Sequence, residues 1–490
     1  IIILKGDLMA QGGNVRKGFT IYLLILFFII LAALLGCIVA MLFSPFTNIL
    51  GFQYYVYNYS DIFKETDAGQ AYNLDNISVI NVDTNSANVT LQRRYDVDQL
   101  YIEFTATSKG FAKADQNTDF NHYIEYDETA KALNISVHEP EGFIRFENNV
   151  NINLLLPMVD ASEDFDNIDL YINTNTGNIY IGNNATDDLN PNLKYDTKIK
   201  NLYITMNDGS LRFAENSTNE FENLRINIGD GRVTSDKDIS FSNSLSINSN
   251  SARFDLANLA YTSTMNHNMH INLNLDDAIF YADSIIGNLN LNMRGGHFIV
   301  DGVEGSINSN SAITQMSNGR ITIGSVAGNI SLPYANNSDI TIDSMTEGSQ
   351  AYIHATGGNI TINSLKGMAW LETTSGKVDV TTYSDGLEII TTTGAINLVY
   401  DVDTVSDVVL KSNSGRINAF VRSNLSCVMK FHDKDGIYYD DDNGPSTVNL
   451  ILHDIGFQNP AIINNGLDAN SMLFYSNGRI TVDLIETTAL

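Results

Sequence analysis

Cysteine, proline and basic residues are all scarce in this chain. Two of its 490 residues are cysteines, Cys37 and Cys427, which are too few for a disulfide framework. Lys and Arg total 28 against 57 Asp and Glu, and the net charge of −29 repels a phosphate backbone, so nucleic acid is not an expected partner. Only 7 prolines stand beside 35 glycines, a composition that suits many short strands and turns.

The longest apolar run, Phe19 to Phe43, holds 25 residues without a charge. A helix of that length exceeds the ~30 Å hydrocarbon core of a bilayer, whereas the apolar part of a secretory signal peptide has only about 7 to 15 residues. We therefore predict an uncleaved transmembrane signal-anchor over 19–43, with membrane lipid as its partner. Because Arg16 and Lys17 precede it, a cytoplasmic N-terminus and an extracytoplasmic C-terminal domain are expected for this single-pass cell-membrane protein.

The segment Leu34 to Cys37 also resembles a lipoprotein processing box. Acylation of Cys37 is therefore an alternative. Apolar residues continue from Ile38 to Phe43, which favours a structural cysteine buried in the membrane. With Cys37 in the bilayer and Cys427 outside it, no intrachain disulfide is expected.

The rest of the chain divides by pattern into a series of expected segments. Residues 1–8 precede Met9 and are interpreted either as non-native or as the edge of a truncated fragment. The expected boundaries are a cytoplasmic tail at 1–18, the anchor at 19–43, a juxtamembrane linker at 44–73, an N-terminal β cap at 74–157, repeats at 158–425 and a C-terminal cap with an acidic loop and a last repeat at 426–490.

One pattern recurs between about Asn167 and Phe420: an alternating strand, a small turn residue and a second alternating strand. LYITMNDGSLRF, LNLNMRGGHFIV and AWLETTSGKVDV are examples. From Gly358 onward the turn glycines are 18, 18 and 21 residues apart, and Ala278 and Ala312 mark degenerate copies. The turn glycines are Gly209, Gly231, Gly296, Gly358, Gly376, Gly394 and Gly415.

Each repeat carries too little apolar surface to fold alone. Stacking repeats in parallel buries a continuous core, and glycine at each corner is expected to allow a positive φ. A sandwich of antiparallel hairpins is the alternative, because Asp-Gly and Gly-Gly also favour hairpin turns. The period of 18 to 22 residues with two strands per unit favours the stack. The predicted fold class is all-β: a parallel β-solenoid with capping β regions, behind one N-terminal transmembrane helix.

The order of these parts resembles a known bacterial family. VNINLLLP, which ends at Pro157, and the following DLYINTNTGNIYIGN look like the putative-adhesin β-solenoid domain of bacterial envelope proteins, a domain of unknown function. The resemblance covers about Leu74 to Leu484 and implies this fold on an envelope protein. It supplies no catalytic residues, because the family pattern has none.

The densest polar feature is an acidic loop near the C-terminus. Hard carboxylate ligands of this kind suit Ca²⁺, although the spacing departs from an EF-hand and no Glu closes the loop. The alternative is a solvated loop whose charges protect the end of the stack. No other cofactor is expected. The candidate calcium ligands are Asp433, Asp435, Asp440, Asp441 and Asp442.

Two further motifs, Asp276-Asp277 and Gly295-Gly296-His297, are candidates for a catalytic pair of carboxylates with a nearby histidine. Both fall at predicted turns, where Asp and Gly are common for conformational reasons. The eight histidines have no zinc-ligand spacing, and Trp370 is the only tryptophan, which excludes a row of indole platforms. We predict no enzymatic activity and no catalytic residues.

Three functions remain open from the sequence. The leading hypothesis is a non-enzymatic surface adhesin or envelope structural or binding protein, whose ligand the sequence does not name. The second is an extracytoplasmic sensor or scaffold subunit of an envelope signalling system, and the third is a carbohydrate-active β-helix enzyme. Adhesion would depend on the outward faces of the repeats, and signalling on the helix and its cytoplasmic tail.

Overall fold

The computed structural model describes most of the chain from residue 22 onward. The described residues are 22–36, 52–64, 76–94, 99–113, 121–138, 144–157, 167–182, 197–213, 219–263, 271–309, 316–383, 386–403, 408–436, 450–453, 461–464 and 471–485.

The first described element is a helix over residues 22–36, inside the predicted anchor. Residues 19–21 and 37–43 of that anchor, including Cys37, lie outside the described residues. Within the part of the chain that the structure describes, no helix has the length and apolar character to cross a membrane. The transmembrane segment therefore stays a prediction.

All other regular elements among the described residues are strands, so the predicted all-β repeat fold is confirmed. The strands are β1 Phe52–Lys64, β2 Val79–Thr84, β3 Asn88–Arg94, β4 Tyr101–Lys113, β5 Asn121–Asp127, β6 Ala132–His138, β7 Ile144–Pro157, β8 Asp169–Ile181, β9 Thr197–Phe213, β10 Asn219–Ile228, β11 Arg232–Ser235, β12 Ile239–Ser249, β13 Arg253–Tyr261, β14 Ile271–Asp276, β15 Ile279–Ile286, β16 Leu289–Arg294, β17 His297–Glu304, β18 Ile307–Asn308, β19 Met316–Ser317, β20 Arg320–Val326, β21 Ile330–Leu332, β22 Ala335–Asn336, β23 Asp339–Met345, β24 Gln350–Ala355, β25 Ile360–Leu365, β26 Met368–Thr373, β27 Val378–Thr382, β28 Leu387–Thr391, β29 Ile396–Tyr400, β30 Val408–Ser412, β31 Ile417–Arg422, β32 Cys427–His432, β33 Leu450–Leu452, β34 Ala461–Ile463, β35 Ser471–Ser476 and β36 Ile480–Ile485.

The chain forms two compact units. The first contains 1–61, 104–122 and 137–151, and the second contains 62–103, 123–136 and 152–490. In the first unit the ring of Phe111 lies 5.5 Å from Tyr54 and 5.3 Å from Phe146 between centroids. Tyr54 belongs to strand β1, so the aromatic residues that follow the apolar run are part of a strand.

In the second unit, strands around each turn pair in parallel with the equivalent strands of the next repeat. Strand β25 pairs with β23 on one side and with β27 on the other. Ile340, Ile360, Val378 and Ile396 follow one another in register, and all four are buried. Each repeat thus places an apolar residue directly on its equivalent, and the alternating pattern directs that row into a common core.

The repeats also stack identical side chains in the core. Phe280 pairs in register with Phe254 and with Phe298, and the ring centroids are 5.5 Å and 5.4 Å apart. Aromatic pairs at this separation add to the free energy of burial. The last repeat rejoins the stack after the long C-terminal insertion, because β35 pairs with β30 and β36 with β31, both in parallel.

A column of small residues, the corner column, marks the turn between the two strands of every repeat. Most glycines of the column lie against the backbone of the equivalent residue in the preceding repeat, whereas Gly319 lies against the side chain of Met293. Ala278 belongs to it as predicted, whereas Ala312 lies outside the described residues and Gly319 takes the corresponding place. The corner column contains Ala87, Gly177, Gly209, Gly231, Ala252, Ala278, Gly296, Gly319, Ser338, Gly358, Gly376, Gly394, Gly415 and Gly478.

Positive φ explains only part of this column. Gly209, Gly231 and Gly296 have φ of 127°, 120° and 73°, but Gly376 and Gly394 have no positive φ. At Gly376 a Cβ would lie 1.8 Å from the carbonyl oxygen of Gly358 in the repeat beneath. The expectation of a left-handed corner is therefore wrong at these repeats, where glycine is needed because two backbones approach closely.

Buried hydroxyl groups hold the same corners. The Thr373 Oγ1 accepts a hydrogen bond of 3.2 Å from the Gly376 backbone N–H and donates to the carbonyl of Gly358 at 3.2 Å. Ser412 does the same between Gly415 and Gly394, at 2.9 Å and 3.1 Å. These bonds satisfy buried backbone groups that would otherwise be costly.

Replacing Gly376 with Val should destabilise the stack. No residue of the corner column is larger than Ser, and overpacking of this kind costs about 1 to 3 kcal/mol. Denaturant unfolding of the full chain measures the loss. Ser375→Val is the control, because Ser375 is exposed in the same corner. Equal free energies of unfolding for the two variants would contradict a close-packed corner.

Candidate functional site

A groove of about 870 Å³ lies on the second unit, beside the corners of the N-terminal repeats. Its walls come from the ends of the strands that precede the corner column. Two outward rows of side chains line it, one four residues and one two residues before each corner. The residue between them points into the core and is buried, as at Met206, Leu275 and Met293.

The row farther from the corner consists mainly of asparagine and is called the amide row. Its members follow one another in strand register across seven repeats. Parallel pairing without slippage forces equivalent side chains to stand one above the next, about 4.8 Å apart. The amide row contains Asp83, Asn173, Thr205, Asn227, Asn248, Asn274 and Asn292.

Hydrogen bonds join most neighbours in the amide row, and all run in one direction. The Nδ2 of Asn248 donates to Oδ1 of Asn227 at 2.7 Å, Asn274 to Asn248 at 2.7 Å, and Asn292 to Asn274 at 2.9 Å. At the other end Asn173 donates to the Asp83 carboxylate at 2.9 Å. Each bond uses one hydrogen of an Nδ2 and one lone pair of an Oδ1, so every amide keeps capacity for a ligand.

The amide row ends in a buried acceptor. Asn292 is 8% exposed, and its Oδ1 has no hydrogen-bond partner among the described residues. A buried carbonyl without a donor costs free energy, so this end of the amide row reduces the stability of the stack.

The second row includes an ion pair at its C-terminal end. Arg294 donates from Nε to Oδ1 of Asp276 at 3.0 Å and from Nη2 to the other carboxylate oxygen. This hydrogen bonding holds the pKa of Asp276 below its ordinary value, against an opposing effect of desolvation, and the attraction of the charges lowers it further. Asp276 is therefore an anion already engaged by a cation, which does not suit a general acid.

The two motifs considered as a catalytic pair lie at a turn and on a strand. Asp277 has a positive φ of 51° and its backbone N–H donates to the carbonyl of Arg294 at 2.7 Å. His297 is exposed on the strand after the corner, in register with Ile279 and Arg320. The two aspartates thus shape a turn.

The calcium hypothesis remains a prediction. Asp440, Asp441 and Asp442 lie outside the described residues. Asp433 and Asp435 form a local turn in which Asp433 Oδ1 accepts from the Asp435 N–H at 2.9 Å. Within the described ranges no three acidic, His or Cys side chains are grouped so that they could hold a metal ion.

Residues 268–453 contain the more regular repeats, with continuous parallel pairing from β14 to β31. They match the family described as Toastrack DUF4097. The predicted resemblance is confirmed. The matched residues include those that line the groove from Asn274 onward and continue beyond it through the second half of the stack. The family description states no function, so it supports the fold and leaves the activity open.

Three solved structures align with the chain at low identity. They are a "putative cell adhesion protein" from Clostridium sporogenes (5% identity, 88% of this chain and 100% of the other, TM-score 0.15), a "putative adhesin" from Parabacteroides distasonis (13%, 70% and 97%, 0.22) and one from Parabacteroides merdae (11%, 87% and 95%, 0.19). At such TM-scores the alignments carry no weight for function. No curated protein matches the chain.

Sequence reasoning missed the groove, although the signal was present. Asn227, Asn248, Asn274 and Asn292 each stand four residues before a corner residue. Alternation alone does not reveal that outward residues of successive repeats become neighbours.

The titration of Asp276 should respond to its partner. In Arg294→Gln the pKa of Asp276 should rise, because the hydrogen bonds that lower it are lost. In the native chain the pKa of Asp276 is lower in the folded state than in the unfolded state. The pair therefore stabilises the fold at pH values above the ordinary carboxyl pKa. This contribution is lost as the pH falls through the folded-state pKa. NMR titration of labelled aspartate measures the shift, and an unchanged pKa would contradict the pairing. Stability should change little, because the pair is exposed.

Proposed function

We propose that the chain is a non-enzymatic binding protein of the cell surface or envelope, with the groove beside the amide row as its ligand site. The observation that carries the proposal is the row of hydrogen-bonded amides that opens into this groove. A site of this kind offers the same polar group repeatedly along one direction. It therefore suits recognition of an extended ligand better than chemistry at a single point.

Preorganisation supports binding. Asn248 accepts from Asn274 and donates to Asn227, so its side chain is fixed before any ligand arrives. A ligand would not need to order these rotamers, and that entropy cost would be saved.

We also infer that the repeats form one parallel β-solenoid. The parallel pairing across successive repeats, the common register of buried rows and the corner column support this architecture. Such a stack is a rigid support on which outward residues keep their spacing.

The apolar run would attach this support to the membrane. Twenty-five uncharged residues over 19–43 favour a signal-anchor, and Arg16 and Lys17 favour a cytoplasmic N-terminus. The groove would then face the outside of the cell.

Filling the groove should abolish binding. Asn250 lies in the row nearer the corner and is exposed, so Asn250→Trp should block the groove without opening the core. The labelled full chain is incubated with fixed bacterial cells and with isolated cell walls, and retention is measured. Retention should fall at least tenfold.

Thr374→Trp is the matched control. Thr374 is also exposed and stands two residues before a corner glycine, Gly376, but lies outside the groove. Retention of Thr374→Trp should equal that of the native chain. Equal retention of Asn250→Trp would refute the groove as the binding site.

Orientation can be tested by cysteine labelling. Lys366 is exposed on the stack, so Lys366→Cys in a Cys37→Ser background should react with a membrane-impermeant maleimide on intact cells. Background should be low, because Cys427 is buried and burial raises the pKa of its thiol to about 12. Labelling that appears only after lysis would place the repeats in the cytoplasm.

A further inference from the structure

The chemistry of the amide row points to one class of ligand. We propose that the groove binds an uncharged polyhydroxylated chain, a neutral oligosaccharide or polysaccharide that lies along the amide row. This inference rests on the proposed function, because it names the ligand of the same groove.

Hydroxyl groups complement the hydrogen-bond donors and acceptors that the amide row leaves unused. The second Nδ2 hydrogen of each asparagine requires an acceptor, whereas the second lone pair of each Oδ1 requires a donor. A hydroxyl group supplies either role by rotation, whereas a carboxylate or phosphate can only accept. Neutral sugars therefore satisfy both kinds of group within one site.

Charge argues against the other polar ligands. Asp83 and Asp276 line the groove of a chain with net charge −29, which disfavours anionic polymers. A cation would compete with Arg294 for the Asp276 carboxylate, and amide oxygens alone hold cations weakly.

Backbone pairing argues against a peptide. Extended peptides bind by adding a strand to an open sheet edge. The groove strands have no open edge at this point, since β12 pairs with β10 on one side and with β14 on the other. A ligand must therefore be recognised through side chains, which run across the strands at one amide per repeat.

Repetition strengthens the match with a polymer. Asn227, Asn248, Asn274 and Asn292 present one functional group at the spacing of paired strands, about 4.8 Å. A chain of similar units can contact several of these amides at once, and affinity then grows with ligand length.

The test is calorimetric titration of the full chain with neutral hexasaccharides of glucose, xylose, mannose and N-acetylglucosamine, and with hexagalacturonate and an unstructured peptide as charged and peptidic probes. At least one neutral hexasaccharide should bind, and its trimer should bind at least tenfold more weakly. Asn274→Ala should weaken binding at least fivefold. The substitution removes one amide of the row and also the hydrogen bonds that Asn274 makes with Asn248 and Asn292.

Asn397→Ala is the matched control. Asn397 also accepts from one asparagine, Asn418 at 2.7 Å, and donates to Asp379 at 2.6 Å, but it stands after the corner and outside the groove. Asn397→Ala should have the same melting temperature as Asn274→Ala. Its affinity for the sugar should equal that of the native chain.

The outcomes separate this inference from the proposed function. If Asn250→Trp abolishes retention on cells while no neutral hexasaccharide binds, the groove is a binding site and the sugar assignment is wrong. Binding of hexagalacturonate or the peptide that Asn274→Ala abolishes would also overturn the assignment. Sugar binding that is equal in Asn274→Ala and Asn397→Ala would show that it occurs outside the groove.

Discussion

The close contact between successive corners is the constraint on which the rest of the second unit depends. At Gly376 the carbonyl of Gly358 lies where a side chain would begin, and the Thr373 hydroxyl closes the same corner. Backbones held this closely cannot slip by one residue without placing a larger side chain in the column. The corner therefore fixes the register of both strands, and every outward and inward row follows from that register.

The core and the groove are two results of the same register. Inward, it stacks Phe254, Phe280 and Phe298 and excludes water from one continuous core. Outward, it brings asparagines that are 18 to 26 residues apart in sequence into hydrogen-bonding distance. The polar row costs little to hold in place, because the apolar row behind it already determines the position of each backbone.

Alternation and period made most of this fold predictable. The inward residues, the predicted corner glycines and Ala278 are local features of the sequence, and they recur in the structure as expected. The corner residues Ala252, Gly319 and Ser338 were not predicted. The reason for glycine was only partly accessible, because a close backbone approach depends on the neighbouring repeat. The groove was not predicted, because the position of each asparagine relative to its corner gains meaning only once residues as far apart as Asn248 and Asn274, 26 positions, are known to be neighbours.

The one-directional hydrogen bonds of the amide row make the site extensible. Asn248 and Asn274 each donate to the preceding repeat and accept from the next, so an additional repeat of the same type would continue the row without altering these bonds. Duplication of a single gene segment of about twenty codons would therefore lengthen the surface by one amide in register. Homologues with different repeat numbers would have amide rows of different length. Each would match a polymer whose number of units corresponds to the length of its row.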